Sequence, residues 1–278
     1  MLTRAKWKKF TLAPAAVVLL LNCSYALTDE PVKFGMFPFL PAAQLETDIG
    51  PLMGPLSEFL ARPVEFRTRS SFEDYLKALK EEQFDIAIVQ PFDYVRIQSI
   101  TVYRPMVRRA KLVKAQFLVN DPALQRVGDL RAKNVAFPSR NSAVTMLGTN
   151  LLLKAGLGVN DYTSIFADEH ASCLLAVANK HADVCVSGSI ATDAVLGGRQ
   201  LTFRTIAESE SISHAVVLYH PRLGVQEQAI IDWFLSLNNT EDGRALLRQA
   251  YTAEVVKVSP NDYDRAREIF DEVQSARQ

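Results

Sequence analysis

Apolar residues recur along this chain in two alternating rhythms. From Val32 to Phe37 they alternate with small or polar residues and stop at Pro38, the period of a strand. From Asp48 to Leu60 they fall at Ile49, Leu52, Met53, Leu56, Phe59 and Leu60, the three-and-four spacing of an amphipathic helix. Val64 to Arg67 predicts a second strand and Ser71 to Glu82 a second helix burying Phe72, Tyr75, Leu76 and Leu79. Asp85 to Val89 is apolar on both faces, a fully buried strand ended by Gln90 and Pro91. Strand, helix, strand, helix, strand predicts right-handed crossovers and a parallel sheet.

The pattern then repeats. Lys114 to Asn120 and Asn134 to Phe137 predict strands, Asn141 to Ala155 and Ala171 to Lys180 helices, and Asp183 to Ser187 a buried strand that mirrors Asp85 to Val89. His214 to Tyr219 reads as one more strand, and helical period returns over Gln226 to Leu237, Thr240 to Tyr251 and Pro260 to Gln274. The fold class is α/β with two blocks. No Ser/Gly-rich linker or charge run divides them, so crossovers are expected within ordinary segments, near Lys111 to Asp121 and Ala207 to His214. Two crossings make the first lobe discontinuous, 27–113 with 212–278, and leave 114–211 as the second, the layout of a two-lobed clamp.

The N-terminus changes how the rest is read. Arg4, Lys6, Lys8 and Lys9 precede an apolar run from Leu12 to Leu21, and Ser24 and Ala26 stand at the small-residue positions of a cleavage site. This is the pattern of a secretory signal peptide over 1–26, too short in its apolar part to span a bilayer. Leu20 to Cys23 loosely resembles a lipoprotein box, with Asn22 where a small residue is expected, so cleavage after Ala26 is the expectation and anchoring at Cys23 the alternative. Without that segment 27 Lys plus Arg face 31 Asp plus Glu, a formal charge of −4, which argues against a nucleic-acid partner. Two cysteines remain, Cys173 and Cys185, in an oxidising compartment. Measured from the turn between their helix and strand, the two lie at similar heights, so geometry permits a disulfide without requiring it.

Four stretches occur together in an order that resembles a known family: Phe34 to Pro38, Phe84 to Tyr94, Phe137 to Thr145, and Leu174 to Val184. They are similar to the phosphate, phosphite and phosphonate-type substrate-binding proteins of bacterial ABC importers, and the likeness covers nearly all of the mature chain. The resemblance implies the type II periplasmic binding protein fold, two α/β lobes joined by two crossover segments and closing over a small oxyanion of the phosphate or phosphonate class. It implies a periplasmic protein that delivers its ligand to an ABC permease. A ligand-sensing subunit that signals to a membrane sensor kinase or cyclase is the other reading left open.

Ligands of open α/β sheets sit beyond the carboxyl ends of strands, where helix N-termini offer free N–H groups. Ser139, Arg140, Asn141 and Ser142 lie between a strand and a helix and are expected to surround the anion, with Arg140 giving a charge-assisted bond; an ordinary N-cap is the bland reading of Ser142. His170 opens the next helix in a register that matches a ligand-contacting His of the family. Phe37, Phe39, Gln90 and Tyr94 are expected to face the same edge, and Ser187 stands near a position where the family often has an acidic contact. That loss of a carboxylate disfavours an amine-bearing ligand. His181, His214 and His220 read as structural or exposed, no spacing reads as a metal site, and no cofactor fingerprint is present. Enzyme motifs are absent too, leaving only a remote alternative in which Cys173 or Cys185 acts as a nucleophile with His170, which requires a free, accessible thiol.

Overall fold

In a computed structural model of the chain, residues 30–167, 169–189, 192, 201–250 and 252–277 are described. The expected signal segment over 1–26, with Cys23, lies outside them.

The strands are β1 (Val32–Met36), β2 (Val64–Arg67), β3 (Ile86–Val89), β4 (Arg104–Arg109), β5 (Ala115–Val119), β6 (Asn134–Phe137), β7 (Thr163–Phe166), β8 (Val184–Gly188), β9 (Arg204–Glu208), β10 (Val216–Tyr219) and β11 (Val255–Lys257). The helices are α1 (Ala42–Leu60), α2 (Phe72–Lys80), α3 (Pro91–Ile97), α4 (Ala143–Lys154), α5 (His170–Ala178), α6 (Glu227–Ser236), α7 (Glu241–Gln249) and α8 (Asp264–Ser275). They form two sheets, ordered β2-β1-β3-β10-β4-β11 and β7-β6-β8-β5-β9.

Each sheet holds the predicted parallel triplet, β1 between β2 and β3 in one and β6 between β7 and β8 in the other. The remaining strands run antiparallel, β10 against β3 and β4, and β5 against β8 and β9, so both sheets are mixed. The reason is the double crossing. Strands that enter a sheet from the other lobe arrive without an intervening helix and pair in the opposite sense. The chain crosses between β4 and β5 and returns between β9 and β10, where Val113 and Ile212 exchange two backbone hydrogen bonds of 2.9 and 3.0 Å.

One apolar core underlies the first sheet, around Phe34, Tyr75, Phe84, Ile86 and Leu218. Another, around Phe117, Phe137, Leu147 and Val186, underlies the second. The last helix, α8, buries Ala266, Ile269 and Val273 in this second core, although the chain reaches it from the first sheet. Close approach of α4 to β8 depends on Gly148, where a Cβ would lie 2.5 Å from Val186. That contact sets the start of α4 beside the end of β8. No helix among the described residues is long and apolar enough to cross a membrane.

Candidate functional site

The carboxyl ends of β1, β3 and β8, the starts of α4 and α5, and the two crossing segments converge on a cleft that encloses a cavity of about 110 Å³. That is room for several waters or for an anion with a small substituent.

The start of α4 forms one wall. Ser142 takes the extended backbone of an N-cap, and its hydroxyl oxygen accepts from the Thr145 N–H at 3.3 Å. Thr145 Oγ1 donates to the Ser139 carbonyl at 2.6 Å, so the Ser142 hydroxyl proton goes to Thr145 Oγ1, 2.8 Å away. Gln90, from the far lobe, completes the cap: its Oε1 accepts from the Ala143 N–H at 2.9 Å while its Nε2 donates to the Asn141 carbonyl at 3.0 Å and to Asp93 at 2.8 Å. Gln90 therefore ties the lobes together, and of the first turn the Val144 N–H bonds to no protein atom among the described residues, with Val144 in the cleft lining.

The start of α5 forms the second wall. Thr192 donates to Ser187 Oγ at 3.1 Å, and Ser187 Oγ lies 2.7 Å from His170 Nδ1. When the Ser187 hydroxyl gives its proton to Nδ1, the imidazole carries its own proton on Nε2, the tautomer that offers a donor to the cleft. Nε2 bonds to no protein atom among the described residues. Burial holds the His170 pKa down at about 4, so at neutral pH the ring is an uncharged donor in the cleft.

The charge comes from the end of β4, just before the chain crosses. Arg109 ends β4 in the cleft wall, its Nη1 donating to His214 Nε2 at 3.2 Å, and its buried Nε has no hydrogen-bond partner. No carboxylate pairs with it among the described residues. Burial lowers its pKa to about 10 and that of His214 to about 3, the latter with help from the positive charges of Arg109 and Lys111. A buried guanidinium without a counter-charge is costly in an empty site and favourable once an anion fills it.

The third wall is apolar. Phe37 packs against Phe39 and Phe72 at ring-centre distances of 5.4 and 6.0 Å, beside Met36 and Ile88.

Of the residues expected at the site, Phe37, Phe39, Gln90, Ser142 and His170 are brought together in this cleft. Ser187 stands behind His170 and orients it. Ser139 and Asn141 contribute carbonyls to the cap rather than side chains to the cleft. Arg140 is not brought to the cleft lining: it is exposed and lies over the Phe166 ring at 4.1 Å in a cation–π contact. Tyr94 is not brought to the cleft lining either. Pro91 starts α3, which carries Tyr94 a full turn on, to pack edge-on against Tyr263 at 4.9 Å in a separate groove. His214, read as structural or exposed, lines the cleft. Cys173 and Cys185 are joined by a disulfide with Cα atoms 5.5 Å apart, and both are fully buried. Neither sulfur is a free nucleophile, which removes the thiol enzyme reading.

This placement separates two neighbours. Ser142→Ala is expected to destabilise the protein by about 1 kcal/mol through the lost cap, read as a lower melting temperature. Arg140→Ala is expected to leave ligand affinity within twofold, read by calorimetry.

A family model for the periplasmic substrate-binding protein of phosphonate ABC transporters matches residues 34–263. Among solved structures, PhnD1 from Prochlorococcus marinus in complex with methylphosphonate superposes with a TM-score of 0.80 at 15% identity, covering 88% of this chain and 99% of that one. A binding protein component of an ABC phosphonate transporter from Pseudomonas aeruginosa gives 0.76 at 14% identity, covering 88% and 87%. The periplasmic aliphatic sulphonate binding protein SsuA from Escherichia coli gives 0.63 at 14%, covering 90% and 89%. At these identities the structural likeness establishes the fold, that of type II periplasmic binding proteins.

Proposed function

Because this chain belongs to the family of periplasmic phosphonate-binding components of ABC transporters, we propose that it captures a small oxyanion of the phosphonate class between its lobes and delivers it to the permease. The family consists of transport components rather than enzymes. The observation that carries the reading is Arg109, a cation in the cleft without a carboxylate partner among the described residues.

In this reading the anion's oxygens take the Arg109 guanidinium, the His170 Nε2–H and the Val144 N–H, one donor from the end of β4 on the first lobe and two from the second lobe. Charge-assisted bonds of this kind are the strong ones. A carboxylate in the wall would repel such a ligand, and none lines the cleft among the described residues. The lobes we assign are 27–113 with 212–278, and 114–211, with α8 reaching across onto the second. Ligand that bridges them favours the closed form, which is the form a permease can tell from the empty one. Nothing in the comparisons supports the sensor partner that the sequence left open.

Calorimetric titration of the mature chain with phosphate, phosphite, methylphosphonate and sulfate tests this. Saturable binding of at least one phosphorus oxyanion is expected, with a melting temperature that rises with ligand, since 100 times Kd adds about 2.7 kcal/mol. No heat and no thermal shift for any of the four at millimolar concentration overturns it.

A further inference from the structure

The two sides of the cleft differ in what they offer beyond the anion's oxygens. On the first lobe the lining is Met36, Phe37, Phe39, Phe72 and Ile88. Beside these apolar residues the same lobe's lining carries Arg109, His214, Thr252 and Gln90, and Gln90 is already engaged by Ala143, Asn141 and Asp93. Nearby, the Thr252 hydroxyl donates back to the Ala250 carbonyl at 3.3 Å. A polar substituent pointing at this wall gives up water and gains no partner, which is unfavourable. A hydrocarbon substituent gains contact there with rings that are already packed against one another.

The charges agree with the shape. Arg109 is the cation that faces the cavity without an acid beside it, and Lys114, the other cation in the lining, is paired with Glu208. An ammonium group on the ligand would meet positive charge on one side and apolar rings on the other.

Resting on the phosphonate-class reading above, we propose that the preferred ligand is a short alkylphosphonate without an amino group. Its head lies against Arg109 and His170, and its alkyl chain against the Phe37, Phe39 and Phe72 wall. The wall then acts as the specificity element. Each added carbon removes apolar surface from water, and an amine at the same position is rejected for want of a carboxylate.

Calorimetry with the mature chain and phosphate, methyl-, ethyl-, propyl- and 2-aminoethylphosphonate reads this directly. The expected result is a Kd that falls about threefold per carbon from methyl to propyl, with 2-aminoethylphosphonate at least tenfold weaker than ethylphosphonate. Phe72→Ser is expected to flatten the chain-length series. Phosphonates that bind with no dependence on chain length, or an aminoethyl ligand as tight as the ethyl one, overturn the specificity proposal while leaving the phosphonate-class reading in place. Absence of binding by every member overturns that reading itself, and the specificity proposal with it.

Discussion

Replacing Arg109 by methionine is expected to weaken phosphonate binding at least about 100-fold and, in the same variant, to raise the melting temperature of the empty protein by a few degrees. The two effects have one cause. The guanidinium is partly withdrawn from water, its Nε has no protein partner among the described residues, and His214 is a neutral acceptor on one nitrogen. Burial lowers its pKa to about 10, and a cation held below its ordinary value subtracts from folded stability at neutral pH by an amount on the order of a few kcal/mol. Methionine fills similar space without that cost. An anion reverses the sign, because two charge-assisted bonds of about 1.5–3 kcal/mol each disappear with the side chain. Arg109→Lys should fall between, since it keeps the charge and loses the planar fork. Unchanged affinity in Arg109→Met would show that the anion's charge is met elsewhere. A lowered melting temperature would show that the guanidinium stabilises the fold by packing.

Why Arg109 escapes the sequence is itself physical. β4 reads Arg-Pro-Met-Val-Arg-Arg, with neither alternation nor a bounded apolar run, and three arginines in six residues suggest a solvated face. Its strand character comes from β10 on one side and β11 on the other, partners that lie more than a hundred residues away. His214 is hidden for the same reason, since its place in the cleft follows from the return crossing and not from its neighbours in sequence. The signals that were legible are local ones. The parallel triplets, α4 and α5 follow from apolar spacing, and Ser142 and His170 from their places at helix starts. Gln90 lines the cleft, and its bond to the α4 cap depends on how the lobes close, which no spacing encodes. Tyr94 shows the opposite failure. Pro91 reads as a strand stop, but it is also the favoured first residue of a helix, and that helix takes Tyr94 away.

Acidifying the ligand-free protein from about pH 6 to pH 4 is expected to cost stability at about 1 kcal/mol per pH unit, the net of three buried groups of known sign. His170 and His214 have folded pKa values of about 4 and about 3, held down by burial, against an ordinary 6.5. Through this window the unfolded chain takes up a proton at each and the folded chain does not, so stability falls as pH falls. Asp93 works the other way. Burial raises it to about 6, only partly opposed by Arg96 at 3.1 Å and Gln90 at 2.8 Å, so the folded chain takes up its proton before the unfolded one and gains stability on acidification. Two protons against one leave these three groups a net slope of one, about 1.4 kcal/mol per unit, and carboxylates held low by ion pairs, such as Glu210 at about 2, add to it in the same sense as the pH nears 4. His170 faces Ser187 and Thr192, and His214 faces Arg109, so no carboxylate beside either ring reverses its sign. Melting temperatures between pH 4 and 7 therefore separate the contributions. His170→Gln should flatten the profile, and Asp93→Asn should steepen it toward two protons. A wild-type profile that is flat between pH 6 and 4, with both variants parallel to it, would show that neither imidazole is held neutral by the fold and would withdraw His170 as the uncharged donor of the cleft.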